Sequence, residues 1–292
     1  MPAEELFLIS HLVRAADWLI LLQPVWEGLQ SHGWTDSHLV TLIDRLEPVD
    51  LLSGAPKFWL AESLSFGTPP LTTEARREIL DLVHSSSPEV NDPADWEWTR
   101  LLVLYAPRGW FLQNAARHFR RMQAEQSALQ QWMNSPGMTN ITLARPVPPS
   151  MRLPPYEFIL KANATTFYRR GVSKLIRAEA YRRLALVACA LERHRIATKT
   201  YPETLAALVP HHLRRVPVDP MSGEPLKYQR LNDGNFQLYS VGPDGRDDHG
   251  LGEAKPPTED LIPVEYPEWG TPVDWIWPTV SVEATRPGAG FQ

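Results

Sequence analysis

Between Val172 and about Thr198 neither Pro nor Gly interrupts the chain, and Ile176, Ala180, Leu184, Val187 and Leu191 recur at steps of three and four, the spacing of one helical face. The middle of this stretch, Leu184–Leu191, is apolar on every side, which predicts a helix buried against more than one neighbour. Arg177, Glu179, Arg182 and Arg183 gather before that belt, and Glu192, Arg193 and Arg195 after it. Both ends are therefore expected to reach water. At 1.5 Å per residue the helix would span roughly 40 Å. Further along, the period changes to two. Leu226 and Tyr228 alternate with Lys227 and Gln229, and Phe236 and Leu238 with Gln237 and Tyr239, a pattern of two half-buried strands. Asn232-Asp233-Gly234 between them tolerates the positive φ of a hairpin turn.

The connection from helix to strands is punctuated by proline. Pro202 suits the first position of a short helix, where a missing N–H costs nothing, and Glu203 favours its positive end. Pro210 ends it. Asp219-Pro220-Met221-Ser222-Gly223 reads as a type I turn with Gly223 at positive φ.

Upstream, helical periodicity dominates. Residues 4–30 read as a helix with Phe7, Val13, Trp18 and Leu21 among its buried positions and Pro24 as a kink. Trp34-Thr35-Asp36-Ser37 offers caps for a second helix over 37–46. Others are expected over 56–66, from a Thr72 or Thr73 cap to His84, over 93–105, and from Pro107 to Met133 with Phe111, Ala115, Phe119 and Met122 on one face. The arginines of that last helix, Arg108, Arg117, Arg120 and Arg121, read as a solvated face and not as a grip on phosphate. Prolines from Pro136 to Pro155 predict an extended linker or strap. A short helix after Tyr156 should reach Arg170, with Gly171 separating it from the long one. After Gly252 the chain is again rich in proline, but Trp269, Trp275 and Trp277 predict that it packs back on the helical region.

These elements predict an α+β fold, mainly α. It comprises a multi-helix body over 1–134, a Pro-rich linker and short helix over 135–171, the long helix packed on a small antiparallel sheet over 172–252, and a tail over 253–292. A length of 292 residues allows one large domain or two. The net charge of -5 makes no electrostatic case for nucleic acid. Cys189, the single cysteine, falls inside the apolar belt and reads as a buried, unreactive thiol; no intrachain disulfide can form, so the redox compartment stays open. The hydrophobic run Leu6–Trp26 is broken by His11, Arg14 and Asp17, which fits an amphipathic core helix better than a signal or a membrane span. The chain as written is thus expected to be soluble.

The strand ending at Tyr239 runs into Ser240-Val241-Gly242-Pro243-Asp244-Gly245-Arg246-Asp247-Asp248-His249-Gly250. The succession of a long helix, Tyr201-Pro202-Glu203-Thr204-Leu205, the Asp219–Tyr228 segment and this acidic loop resembles the C-terminal half of the major pseudopilin of type II secretion. The likeness covers roughly residues 175–250. Over most of its length the chain also resembles large bacterial envelope proteins that join such a module to a helical region and carry a hydrophobic anchor upstream. The resemblance implies a long helix on a small antiparallel sheet, a cell-envelope or periplasmic location, and calcium bound in the loop after the second strand. It places the Val241 carbonyl and the Asp244 carboxylate among the calcium ligands, with Asp247 and Asp248 as further candidates that come sooner than in those pseudopilins. Taken without the family, Asp244–Asp248 reads as a solvated turn, because Asp and Gly are ordinary turn residues and the spacing does not fit an EF-hand.

Other chemistry lacks a handle. Only His211 and His212 are adjacent among the histidines, and there is no H-E-x-x-H or paired C-x-x-C, so zinc is not expected. No G-x-S-x-G, Walker loop or dinucleotide fingerprint occurs. Glu74, Glu78 and Asp81 lie at helical spacing, as surface carboxylates commonly do. The favoured reading is a non-enzymatic envelope protein whose module serves assembly or partner binding. The alternatives are a ligand-binding protein with a pocket between helical body and tryptophan tail, and a metal-dependent hydrolase built on Asp244, Asp247 and Asp248. Polymerisation through the long helix looks blocked by the region that precedes it.

Overall fold

In the computed structural model the described residues are 7–58, 72–86, 100–101, 103–134, 164–242, 245–251 and 274–278. They form an α+β fold, mainly α. Helices α1 (Leu8–Gln30), α2 (Asp36–Leu46), α3 (Thr73–Ser86), α4 (Arg108–Asn134) and α5 (Ala164–Thr198) precede a sheet of β1 (Lys227–Arg230), β2 (Phe236–Ser240) and β3 (Trp275–Ile276). Contacts divide the chain into two units, one formed chiefly by residues within 55–130, the other by those within 9–54 and 171–292.

In the first unit, Thr72 Oγ1 accepts from the Ala75 amide and caps α3, one of the two threonines expected there. Arg76 is buried, donating to the carbonyls of Leu104 and Ala106 at 2.8 and 3.0 Å while its guanidinium covers the Phe111 ring at 4.3 Å. On α4 the buried stripe is Phe111, Ala115, Met122 and Leu129. Phe119 stays half-buried, and Arg108, Arg117 and Arg120 are exposed, as a solvated face requires.

The second unit holds the site. In α1 the buried positions are His11, Ala15, Leu19, Leu22, Val25 and Leu29. Phe7, Val13 and Leu21, expected inside, are more than half exposed, and Trp18 is half-buried. The helix carries apolar residues on two faces, so periodicity alone cannot say which one meets the core. Among the described residues α1 is the one helix long and apolar enough to cross a membrane. At its C-terminal end the Trp34 indole lies against Gly28, where a Cβ would come within 2.1 Å of Nε1, and donates to the Val25 carbonyl at 3.1 Å. Only glycine admits that ring. Thr35 then caps α2, accepting from the His38 amide, and α2 buries Leu39, Ile43 and Leu46.

Helix α5 corrects two expectations. It runs unbroken through Gly171, so no separate short helix ends at Arg170; a glycine inside a helix costs only about 1 kcal/mol, which tertiary packing overrides. Its charged ends are also only partly wet, with Arg177, Arg183, Arg193 and Arg195 half-buried. All residues from Leu184 to Glu192 are buried, and so are Glu179 and Arg182. Glu179 accepts from Arg182 Nε and Nη2 at 2.9 and 2.7 Å, from Arg183 Nε at 2.7 Å and from the Leu51 amide at 3.4 Å. Arg182 Nη1 passes on to the Leu46 carbonyl at 2.6 Å, and Arg183 Nη1 to the Val218 carbonyl at 2.8 Å. One turn beyond the belt, Glu192 accepts from Arg195 Nε and Nη2 at 2.8 and 2.6 Å, meets His32 Nδ1 at 3.0 Å, and receives the Tyr201 hydroxyl at 3.2 Å. Each glutamate is thereby satisfied, as a buried charge must be.

Tyr201 carries α5 to the sheet. Its ring packs edge-on against Phe236 of β2 at 4.8 Å, while Tyr228 of β1 donates to the Pro202 carbonyl at 2.6 Å. The short helix expected from Pro202 is instead a single 3-10 turn, Leu205–Leu208. Pro202 stays outside it because its carbonyl is held by β1. The expected hairpin forms, with Tyr228 opposite Leu238 and Arg230 opposite Phe236, and Gly234 takes φ 87°. β3 adds a third antiparallel strand on the other side of β2, pairing Ile276 with Tyr239 and Trp275 with Ser240. Trp275 and Trp277 are buried. Trp269 lies outside the described residues.

Glu192 controls this junction. Desolvation acts to raise its pKa, but hydrogen bonds from Arg195 and His32, and their charges, outweigh it and hold the carboxyl below its ordinary value. A depressed carboxyl adds stability at pH above its unfolded value near 4.5, and that contribution fades as pH falls through the folded value. Glu192→Gln should remove this part of the acid dependence, and Glu192→Ala should cost about 3 kcal/mol at neutral pH by stranding Arg195 and Tyr201, both measurable by urea unfolding across pH.

Candidate functional site

The acidic loop follows β2, and the buried carboxylate of Asp219, read from sequence only as the first residue of a turn, fixes its start. Asp219, fully buried, accepts the Met221 amide at 2.8 Å within its own turn, then the Ser240 hydroxyl at 2.8 Å and the Val241 amide at 2.7 Å. The turn closes by Gly223 N–H to Asp219 C=O at 2.9 Å, with Gly223 at φ 73°, one residue wider than a type I turn. Burial raises the Asp219 pKa against the pull of these three donors. The turn residue is therefore the point from which β2 hands over to the loop.

Val241 is buried with its amide committed to Asp219. Asp244 lies outside the described residues. Asp247 turns back onto the sheet: it accepts the Tyr239 hydroxyl at 3.0 Å and the His249 amide at 3.0 Å, and pairs with Lys227 at 3.4 Å. Desolvation opposes ionisation there, but these donors win and hold its pKa low. Asp247 is a fastening. Asp248 differs, for its Oδ2 is buried with no hydrogen-bond partner.

A second carboxylate comes from the residue before β3. Asp274 is buried, its amide donates to the Leu251 carbonyl at 2.8 Å, and its Oδ2 accepts the Gly250 amide at 2.7 Å. The amides of Asp248 and Gly242 face the same carboxylate. Its Oδ1 is buried without a partner. Desolvation raises the Asp274 pKa, and the negative charge of Asp248 raises it further. Asp248 Oδ2, on a half-buried residue, and Asp274 Oδ1, on a buried one, are each left without a hydrogen-bond partner, and carboxylate oxygens of that kind are groups a cation would satisfy. Gly250, at φ 75°, lets the chain turn under the Gln237 amide, which a Cβ would meet at 2.2 Å.

The donor chemistry suits calcium, a hard ion that takes carboxylate and backbone oxygens and needs six to eight of them. Among the described residues no three His, Cys, Asp or Glu side chains converge as a metal-holding group. Asp248 and Asp274 supply two carboxylates, and the rest of such a shell would fall to Asp244, backbone carbonyls and water. Asp274 was legible only as the lone acid in the apolar run Val273-Asp274-Trp275-Ile276-Trp277, a signal that the loop motif drew attention away from.

Burial, and then the Glu192 charge, pushes the Cys189 thiol up to about 12, so it stays protonated. Glu74, Glu78 and Asp81 are exposed along α3. His212 meets His194 edge-on at 5.7 Å, with its pKa lowered first by burial and then by Arg193.

Comparison with protein-family models, with curated proteins and with solved structures finds no significant match for this chain.

Asp219→Ala should destabilise the protein by at least about 3 kcal/mol, because it strands two amides and a hydroxyl in the interior, read by chemical denaturation. Asp219→Asn should cost less. It should also abolish the stability that a raised carboxyl pKa contributes at low pH and loses as pH climbs through its folded value.

Proposed function

We propose that this chain is a non-enzymatic, cell-envelope-associated protein whose C-terminal module binds calcium in the Val241–Leu251 loop and serves assembly or partner binding. One observation carries the ion: Asp248 Oδ2 and Asp274 Oδ1 are both buried and both unpaired. Asp248 and Asp274 would hold it, together with the Asp244 carboxylate and the Val241 carbonyl that the likeness to type II secretion pseudopilins suggests. Bound there, the cation would supply charge neutralisation, not a reactive centre. Asp247 would keep the loop on the sheet through Tyr239 and Lys227. The assembly role rests on that same likeness, supported by the order of a long helix, a hairpin and an acidic loop, and by the antiparallel sheet in which they end. The packing of α5 on every side over Leu184–Glu192 supports a role other than filament subunit, since a pseudopilin polymerises through an exposed apolar helix.

Titration calorimetry of calcium into the folded protein should give a single saturable site, weakened at least tenfold in Asp248→Asn and in Asp274→Asn. An absence of heat in the parent protein up to millimolar calcium would sink the ion reading. Concentrated protein with calcium should show no regular fibres by electron microscopy.

A further inference from the structure

Asp274, which is hydrogen-bonded to the acidic loop at Gly250 and Leu251, belongs to a segment fastened at its other end to a different element. Residues 274–278 are buried throughout. The Asp274 amide and carboxylate hold the loop through Leu251 and Gly250. Three residues on, the Trp277 amide donates to the Leu238 carbonyl at 2.8 Å. The Pro278 carbonyl then accepts two hydrogen bonds from α1, from Trp26 Nε1 at 2.9 Å and Gln30 Nε2 at 2.5 Å. The ladder itself contributes little, because β3 pairs only two residues with β2.

One end of this strap is therefore well made and the other is strained electrostatically. At the α1 end every observed donor meets its acceptor. At the loop end Asp248 Oδ2 and Asp274 Oδ1 are each buried without a partner, while Gly250, which is hydrogen-bonded to Asp274, lies two residues beyond Asp248. We infer that residues 274–278 form a cation-dependent strap: an ion between Asp248 and Asp274 fastens the loop end, and so couples the acidic loop to α1 through the Pro278 carbonyl. This rests on the proposed calcium site and adds that the ion controls a contact with α1, which lies well outside the pseudopilin-like module. Strap docking and ion binding then share one free energy. Whatever loosens the Pro278 end lowers the fraction of molecules in which Asp274 is presented to the ion, and the apparent affinity falls by that fraction.

The test uses the full chain, with Gln30→Ala and Trp26→Phe as variants remote in sequence from both carboxylates. Each removes one donor to Pro278 and leaves the loop untouched. Gln30→Ala is the milder change, kept in case Trp26→Phe disturbs folding. Calcium dissociation constants are measured by calorimetry, and exchange of the Trp277 amide is followed with and without calcium. Calcium should slow exchange at Trp277, and the variants should bind calcium about fivefold more weakly or worse. If the parent binds calcium, but both variants bind it equally well and Trp277 exchange ignores the ion, the strap is overturned while the site stands. If the parent binds no calcium, site and strap fall together.

Discussion

Burying charged residues on a helix that is otherwise apolar all round forces the surrounding chain into place. Glu179 and Glu192 lie inside the protein at either end of the Leu184–Leu191 belt, and an isolated buried carboxylate is too costly to persist. Each therefore requires donors at fixed positions. Glu179 takes its donors from Arg182 and Arg183, and these arginines reach on to the α2 C-terminus and to the segment before the sheet. Glu192 takes them from the α1–α2 turn through His32, from its own helix through Arg195, and from the sheet side through Tyr201. The belt gives the core its volume. The glutamates give it one arrangement.

The same logic, with one partner short, governs the acidic loop. Asp219 and Asp247 are carboxylates whose every role is visible: one joins the turn to β2, the other pins the loop to Tyr239 and Lys227. Asp248, half-buried in the same loop, and Asp274, buried just before β3, each keep a buried oxygen without a donor. Glu179 and Glu192, by contrast, have donors on both oxygens.

The hairpin, its turn and its register were legible because a period of two with Asn-Asp-Gly at the turn admits few alternatives. The capped starts of α2 and α3 were legible for a similar reason, since a Thr side chain accepting an amide is a local device. The candidate site was legible only in part. The loop could be picked out, but within it Asp247 and Asp248 look alike in sequence and have opposite fates. Asp274 lies 26 residues beyond Asp248, across a pairing of β3 that only the fold makes.

By itself the sequence determined what short-range chemistry dictates: where α5 is apolar all round, where helices can start, where the chain must turn, and that Cys189 belongs to the core. Tertiary structure decided which face of α1 turns inward, that Gly171 does not interrupt α5, that Glu179 and Glu192 are buried, and that Asp274 holds Gly250 and Leu251 of the loop. Each of these depends on which distant surface a residue meets. Periodicity and propensity record a residue's neighbours along the chain, whereas burial and pairing are set by neighbours in space.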